Sequence, residues 1–108
     1  MDLAQKKCVA CEGGAQPLLR PLAEELLKKI DGWAMDKEGK KISKKFTFRN
    51  FVEAMKFANK ITPIAEEEGH HPDLVLGWGR VEVVLSTHSI GGLSENDFIL
   101  AAKIDKIS

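Results

Sequence analysis

The strongest constraint in this sequence is the breadth of the apolar face on its longest helical segment, residues 50–68. Stepped at 100° per residue from Phe51, the side chains Phe51, Val52, Ala54, Met55, Phe57, Ala58, Ile61, Ile64 and Ala65 cover about 240° of a helical wheel. A helix resting on a single sheet needs a stripe only a little over ~100° wide. The excess predicts burial on a second side, and therefore a partner subunit. Pro63 is expected to kink this helix or mark a local break.

The segments on either side alternate with a period of two or return to helical spacing. Pro21 suits the first turn of a helix, where its missing N–H costs nothing. Leu22, Leu26, Leu27 and Ile30 then recur on one side, and Asp31-Gly32 stops the run. Trp33 and Met35 open an alternating stretch. Gly39 supplies a turn, and Ile42, Lys44, Phe46 and Phe48 alternate with Ser43, Lys45 and Thr47, as in a half-buried hairpin. The basic group Lys37, Lys40, Lys41, Lys44 and Lys45 reads as the solvated side of that hairpin. Val75–Trp78 and Val81–Thr87 form a second hairpin, with Gly79-Arg80 as a type II′ turn. In its second strand Val81, Val83 and Leu85 face one way, and His88 continues the more polar set. Gly91-Gly92 ends it. Ser94 then caps a last helix that turns Phe98, Ile99, Ala102 and Ile104 inward.

The order is thus helix-strand-strand-helix-strand-strand-helix. The expected fold is α+β, a four-stranded antiparallel sheet with helices packed on one face, which buries every apolar stripe. Residues 1–16 read as an irregular N-terminal segment and 17–108 as a single domain. With 108 residues in all, one core is possible without disulfides or a structural metal.

Sixteen basic and sixteen acidic residues cancel. No single-sign field advertises nucleic acid or an anionic membrane, and no apolar run approaches the ~20 residues of a membrane span. The N-terminus lacks a basic-then-apolar secretory pattern, so a cytoplasmic location is expected. Cys8 and Cys11 form a CxxC without the second pair that a structural zinc site usually needs. It leads into Glu12-Gly13-Gly14, which reads as loop, so two reduced thiols on an irregular segment are expected there.

All three histidines lie between residues 70 and 88. They are the only side chains that titrate near neutral pH when unperturbed, apart from special cases. Pro72 disfavours helical geometry at His71, which places His70-His71 at an ordered bend. Three histidines and a carboxylate could bind zinc, but adjacent residues on an extended chain point opposite ways. HEXXH spacing is absent.

Glu66-Glu67-Glu68-Gly69-His70-His71-Pro72, Trp78, Ser86-Thr87-His88 and Gly92-Leu93-Ser94-Glu95-Asn96-Asp97 together resemble the pterin-4a-carbinolamine dehydratase family. The motif occupies residues 66–97, and the element order is similar across 18–106. The resemblance implies a hydro-lyase (4a-hydroxytetrahydrobiopterin dehydratase) that eliminates water from 4a-hydroxytetrahydropterin to give quinonoid dihydropterin, in tetrahydropterin recycling. It implies no cofactor and no metal. Carried over by position, His70, His71 and His88 are catalytic, with His70 and His88 as acid and base in an order the sequence leaves open. Glu66, Pro72, Thr87, Ser89, Ile90 and Asp97 bind substrate.

Within that set Glu66 could orient an imidazole or hold the pterin edge, whereas Glu67 and Glu68 read as a solvated helix end. Asp97 has two readings of equal weight, a capping-box acid three residues after Ser94 and a pocket residue. Trp78 is read as core in preference to a ring-stacking surface. Two positions depart from the family pattern: Gly69 stands where many members have an acid, and Leu74 where many animal members have an aromatic. Both touch the pocket mouth and put the exact pterin in doubt. Expected partners are a pterin and further copies of the chain, as homodimer or homotetramer, with no direct nucleic acid and no membrane. The alternatives are a pterin-binding relative in molybdopterin metabolism and a non-enzymatic dimerisation or transcription cofactor.

Overall fold

The computed structural model describes residues 2–9 and 16–108; Cys11 and its neighbours lie outside them. After a short 3₁₀ turn at Leu3–Gln5 come α1 (Arg20–Leu27), β1 (Ala34–Met35), β2 (Ile42–Thr47), α2 (Phe51–Glu68), β3 (Asp73–Gly77), β4 (Arg80–Leu85), a second 3₁₀ turn at His88–Ile90, and α3 (Glu95–Ile107). This is the expected α+β order. The four strands form one antiparallel sheet in the order β1-β2-β4-β3. The hairpins therefore join through β2 and β4, with Ile42 opposite Leu85 and Phe46 opposite Val81.

Period two sorts the sheet. Val81, Val83 and Leu85 are fully buried under the helices, as is Ile42, while Glu82 and Lys45 pair on the opposite face. Lys44 belongs by alternation to the helix side and corrects its reading as a solvated lysine. It is 22% exposed and pairs with Asp105 of α3 at 2.9 Å. Trp33 Nε1 donates to the same carboxylate at 3.0 Å, which ties the first hairpin to the last helix.

The wide arc of α2 separates into two parts. Ala54, Phe57, Ala58, Ile61 and Ala65 are buried. They span about 100° of the wheel, the width one sheet-facing stripe requires. Phe51 and Val52 lie outside that stripe and remain 50% and 60% exposed. The helix continues through Pro63 without the expected break. Pro63 lies on the exposed side, so the missing N–H costs one hydrogen bond while Ile61 and Ala65 stay packed.

The second hairpin turns one residue earlier than expected. Gly77 pairs with Arg80, leaving Trp78-Gly79 as the two-residue turn. Gly79 is required there by a close approach. A Cβ would sit 2.6 Å from the Phe48 carbonyl oxygen, and the Gly79 carbonyl accepts from the Phe48 N–H at 2.8 Å. Trp78 is 70% exposed, which corrects its reading as core: at the tip of a tight turn its side chain has nothing to pack under. In α3, Leu100 and Ala101 are buried with Phe98, Ile99 and Ile104, whereas Ala102 is only half-buried.

Candidate active site

The histidines are placed by what ends α2 and what starts α3. Gly69 closes α2 in the left-handed conformation, at φ 63°, a geometry glycine adopts without the Cβ penalty. The reversal sends His70 back under the helix end, its N–H bonded to the Ala65 carbonyl at 3.2 Å. His70 is thereby 11% exposed, while His71 on the opposite side of the chain is 59% exposed.

Across from them, β4 stops at Leu85. Thr87 and Gly92 form an isolated antiparallel bridge, with the Thr87 N–H donating to the Gly92 carbonyl at 2.8 Å. The bridge pinches residues 88–91 into a loop. His88 consequently opens a 3₁₀ turn instead of ending the strand, as its alternation had suggested.

Asp97 joins these pieces. It is fully buried, in the first turn of α3. Its Oδ2 accepts from the Ser94 N–H at 3.0 Å and from Thr87 Oγ1 at 2.8 Å, and its Oδ1 lies 2.6 Å from His70 Nε2. The capping reading of Asp97 holds, and the same side chain grips His70 from behind the cleft. A carboxylate only accepts, so Nε2 of His70 carries a proton and Nδ1 of the neutral ring keeps a lone pair. The outer pair repeats the arrangement, with His71 Nε2 2.6 Å from Glu66 Oε2. Glu66 thus meets His71 and not His70. His88 is the loosest of the three, 75% exposed, with Asp73 Oδ2 at 3.8 Å.

His70, His71 and His88 line one cleft of about 460 Å³, together with Ser86, Thr87 and Ser89. Pro72, Ile90 and Asp97 are not on its surface: Pro72 sets the bend, Ile90 lies within the 3₁₀ turn, and Asp97 stands behind His70. Glu66 is likewise off the lining and meets the rim only through its contact with His71.

Gly69 lies on the cleft, at the mouth where it was expected, and the cleft also contains Val9, Glu68 and Asn96, which carried no expected site role. Glu68 corrects its reading as solvated. Its side chain is 5% exposed, and it accepts from the Cys8 N–H at 2.7 Å with Lys103 3.6 Å away. That backbone N–H, and secondarily Lys103, hold its carboxyl below the ordinary carboxylate range. Glu67, 69% exposed, is solvated as expected. The local sequence carries no signal for Glu68, because its partner lies sixty residues upstream. Burial, and then the neighbouring Glu68 charge, push the Cys8 thiol up to about 12. Its sulfur donates weakly to the Asn96 carbonyl at 3.6 Å. Among the described residues, no three His, Cys, Asp or Glu side chains are grouped to share a metal ion.

The family profile for pterin 4 alpha carbinolamine dehydratase matches residues 16–107. A protein of Halorhodospira halophila, provisionally named a pterin-4-alpha-carbinolamine dehydratase, is 49% identical over 107 residues, covering 99% of this chain and 98% of its own. A similarly named protein of Rubrobacter xylanophilus is 45% identical over 106 residues, 98% of each chain. The crystal structure of a transcriptional coactivator/pterin dehydratase from Brucella melitensis superposes with a TM-score of 0.80 at 33% identity, covering 85% of this chain and 98% of that one. The profile, the relatives and the shared fold establish that this chain belongs to the pterin-4-alpha-carbinolamine dehydratase family.

Proposed function

We propose that the chain is a hydro-lyase that dehydrates 4a-hydroxytetrahydropterin to quinonoid dihydropterin, with His70, His71 and His88 as its working groups. The observation that carries this reading is the 2.6 Å contact between His70 Nε2 and the buried Asp97 carboxylate, which leaves Nδ1 as the basic nitrogen of a histidine on the cleft.

The chemistry follows from the substrate. Hydroxide is a poor leaving group, so the 4a-oxygen must take a proton as its C–O bond breaks. Electron density from the adjacent ring nitrogen expels it, and that nitrogen then releases its own proton. One proton enters and one leaves, with no net oxidation, so the reaction balances without a redox cofactor or a metal. His70 accepts the ring-nitrogen proton, and Asp97 stabilises the imidazolium formed. His88, exposed and only loosely paired with Asp73 at 3.8 Å, donates to the departing hydroxyl. A group whose pKa is near ambient pH performs either task with little penalty. His71, steadied by Glu66, orients the pterin. Thr87 and Ser89 line the site; Pro72 and the turn around Ile90 shape it.

Tetrahydropterin recycling in the cytoplasm and assembly into a homodimer or homotetramer are part of the same proposal. Self-association is supported by Phe51 and Val52 at the start of α2, and by Trp78, all exposed. The Phe48–Gly79 hydrogen bond brings the Trp78 turn beside that helix start. The same apolar surface favours a second reading, a non-enzymatic dimerisation or transcription cofactor; the Brucella neighbour is named a transcriptional coactivator/pterin dehydratase.

Stopped-flow absorbance of 4a-hydroxytetrahydropterin dehydration, with wild type beside His70→Ala and His88→Ala, tests the proposal. Acceleration by wild type that falls about 10²–10⁴-fold in the variants is expected. No acceleration over buffer by wild type overturns the enzyme reading, and near-normal rates in both variants remove these histidines from the chemistry.

A further inference from the structure

We propose that the N-terminal strap Asp2–Val9 forms one wall of the pterin site, with Asn96 and Glu68 as the positioning residues that hold it there. The strap precedes residues 16–107, which the family profile covers, and it rests on α3. Leu3 is buried in the main core, and Lys103 Nζ donates to the Ala4 carbonyl at 2.8 Å. Lys6 pairs with Glu95 at 2.9 Å.

Its far end is held differently. Asn96 treats Val9 as a strand would treat its neighbour: Oδ1 accepts from the Val9 N–H at 3.0 Å, and Nδ2 donates to the Val9 carbonyl. One residue earlier, the Cys8 N–H is taken by buried Glu68. Consecutive backbone groups are thus fixed by side chains from two different helices, and both of those side chains line the histidine cleft.

The product of this clasp is a placed apolar surface. Val9 is 71% exposed yet borders a cleft otherwise lined mainly by histidines, hydroxyls and a carboxylate. An isopropyl group held there by three backbone hydrogen bonds can cover one face of the bicyclic pterin ring system, while the histidines address its polar edge. Asn96 and Glu68 touch no reacting atom in this arrangement. They set substrate affinity by fixing where Val9 stands.

The inference rests on the pterin reading for its ligand but not for its geometry, and the test separates the two. Val9→Ala alters only an exposed side chain. It should raise KM for 4a-hydroxytetrahydropterin about fivefold, because the ring face loses the methyl groups that cover it, with the effect falling on KM and not kcat. Asn96→Ala should raise KM at least as much, and adding Val9→Ala to it should cost nothing further, because the wall has already been released. An unchanged KM in Val9→Ala, or additive effects, overturns the proposal. The second measurement needs no turnover: the rate at which diethyl pyrocarbonate modifies His70, read by peptide mass spectrometry in folded protein. Asn96→Ala should accelerate it several-fold and Val9→Ala less. If wild type proves inactive on the pterin, this arm decides alone, and rates equal to wild type in both variants overturn the strap as a wall.

Discussion

Replacing Asp97 by Asn isolates the dyad from the fold, because the structure dictates which way the amide must sit. Asp97 receives three groups: the Ser94 N–H and Thr87 Oγ1 at Oδ2, and His70 Nε2 at Oδ1. An Asn has one acceptor oxygen. Placed toward His70, that oxygen would leave its NH₂ facing the Ser94 N–H, donor against donor. Placed toward Ser94 and Thr87, it keeps the cap and turns the NH₂ onto His70 Nε2. The second orientation is favoured, and it forces the neutral imidazole to move its proton to Nδ1. The basic lone pair is then spent on the amide. Stability should fall by about 1–2 kcal/mol, the difference between a charge-assisted and a neutral hydrogen bond. For a domain near this size, that lowers Tm by roughly 5–15 °C. Turnover should fall about 10²-fold, the lower end of the acid–base range. Stopped-flow kinetics, thermal unfolding and the ¹⁵N shifts of the His70 ring report the three effects. Near-wild-type turnover, or a ring that keeps its proton on Nε2, would refute the reasoning.

Val52→Glu places a charge on the exposed start of α2 and should shift the light-scattering mass of the assembly downward while the unfolding midpoint changes little; an unchanged mass sinks the proposed interface. Gly79→Ala brings a methyl within 2.6 Å of a carbonyl oxygen and should destabilise the protein by about 1–3 kcal/mol, measured by denaturant unfolding, with wild-type stability contradicting the close approach.

The elements that announce themselves in the sequence are those decided by local spacing. The buried stripe of α2, the alternation of β4 and the Ser94 cap follow from side chains within a few residues of one another, and the family resemblance singles out the histidine cluster. What local spacing misdirects is decided at a distance. The second hairpin turns at Trp78-Gly79 because Phe48, thirty residues earlier, presses on Gly79. The charge of Lys44 groups it with solvated lysines, and only Asp105 on α3 shows why it can stay on the helix side that its alternation assigns it. The end of β4 is set by the Thr87–Gly92 bridge, which takes His88 off the strand. Glu68 lies in an acidic run that looks solvated throughout, and only the returning N-terminal strap distinguishes it from Glu67. Asn96 gives no signal of its own, because its partner Val9 lies far upstream.

The first turn of α3 concentrates several duties in four residues. Ser94 and Asp97 start the helix, Asp97 holds His70, and Asn96 grips the strap. Heat resistance and the proposed catalysis therefore share the same atoms at this place and cannot be tuned independently there. An engineer seeking a hardier protein has room on α1 and the first hairpin, where substitutions touch neither the cleft nor its supports. At residues 94–97, a change that alters the melting temperature should also register in the rate.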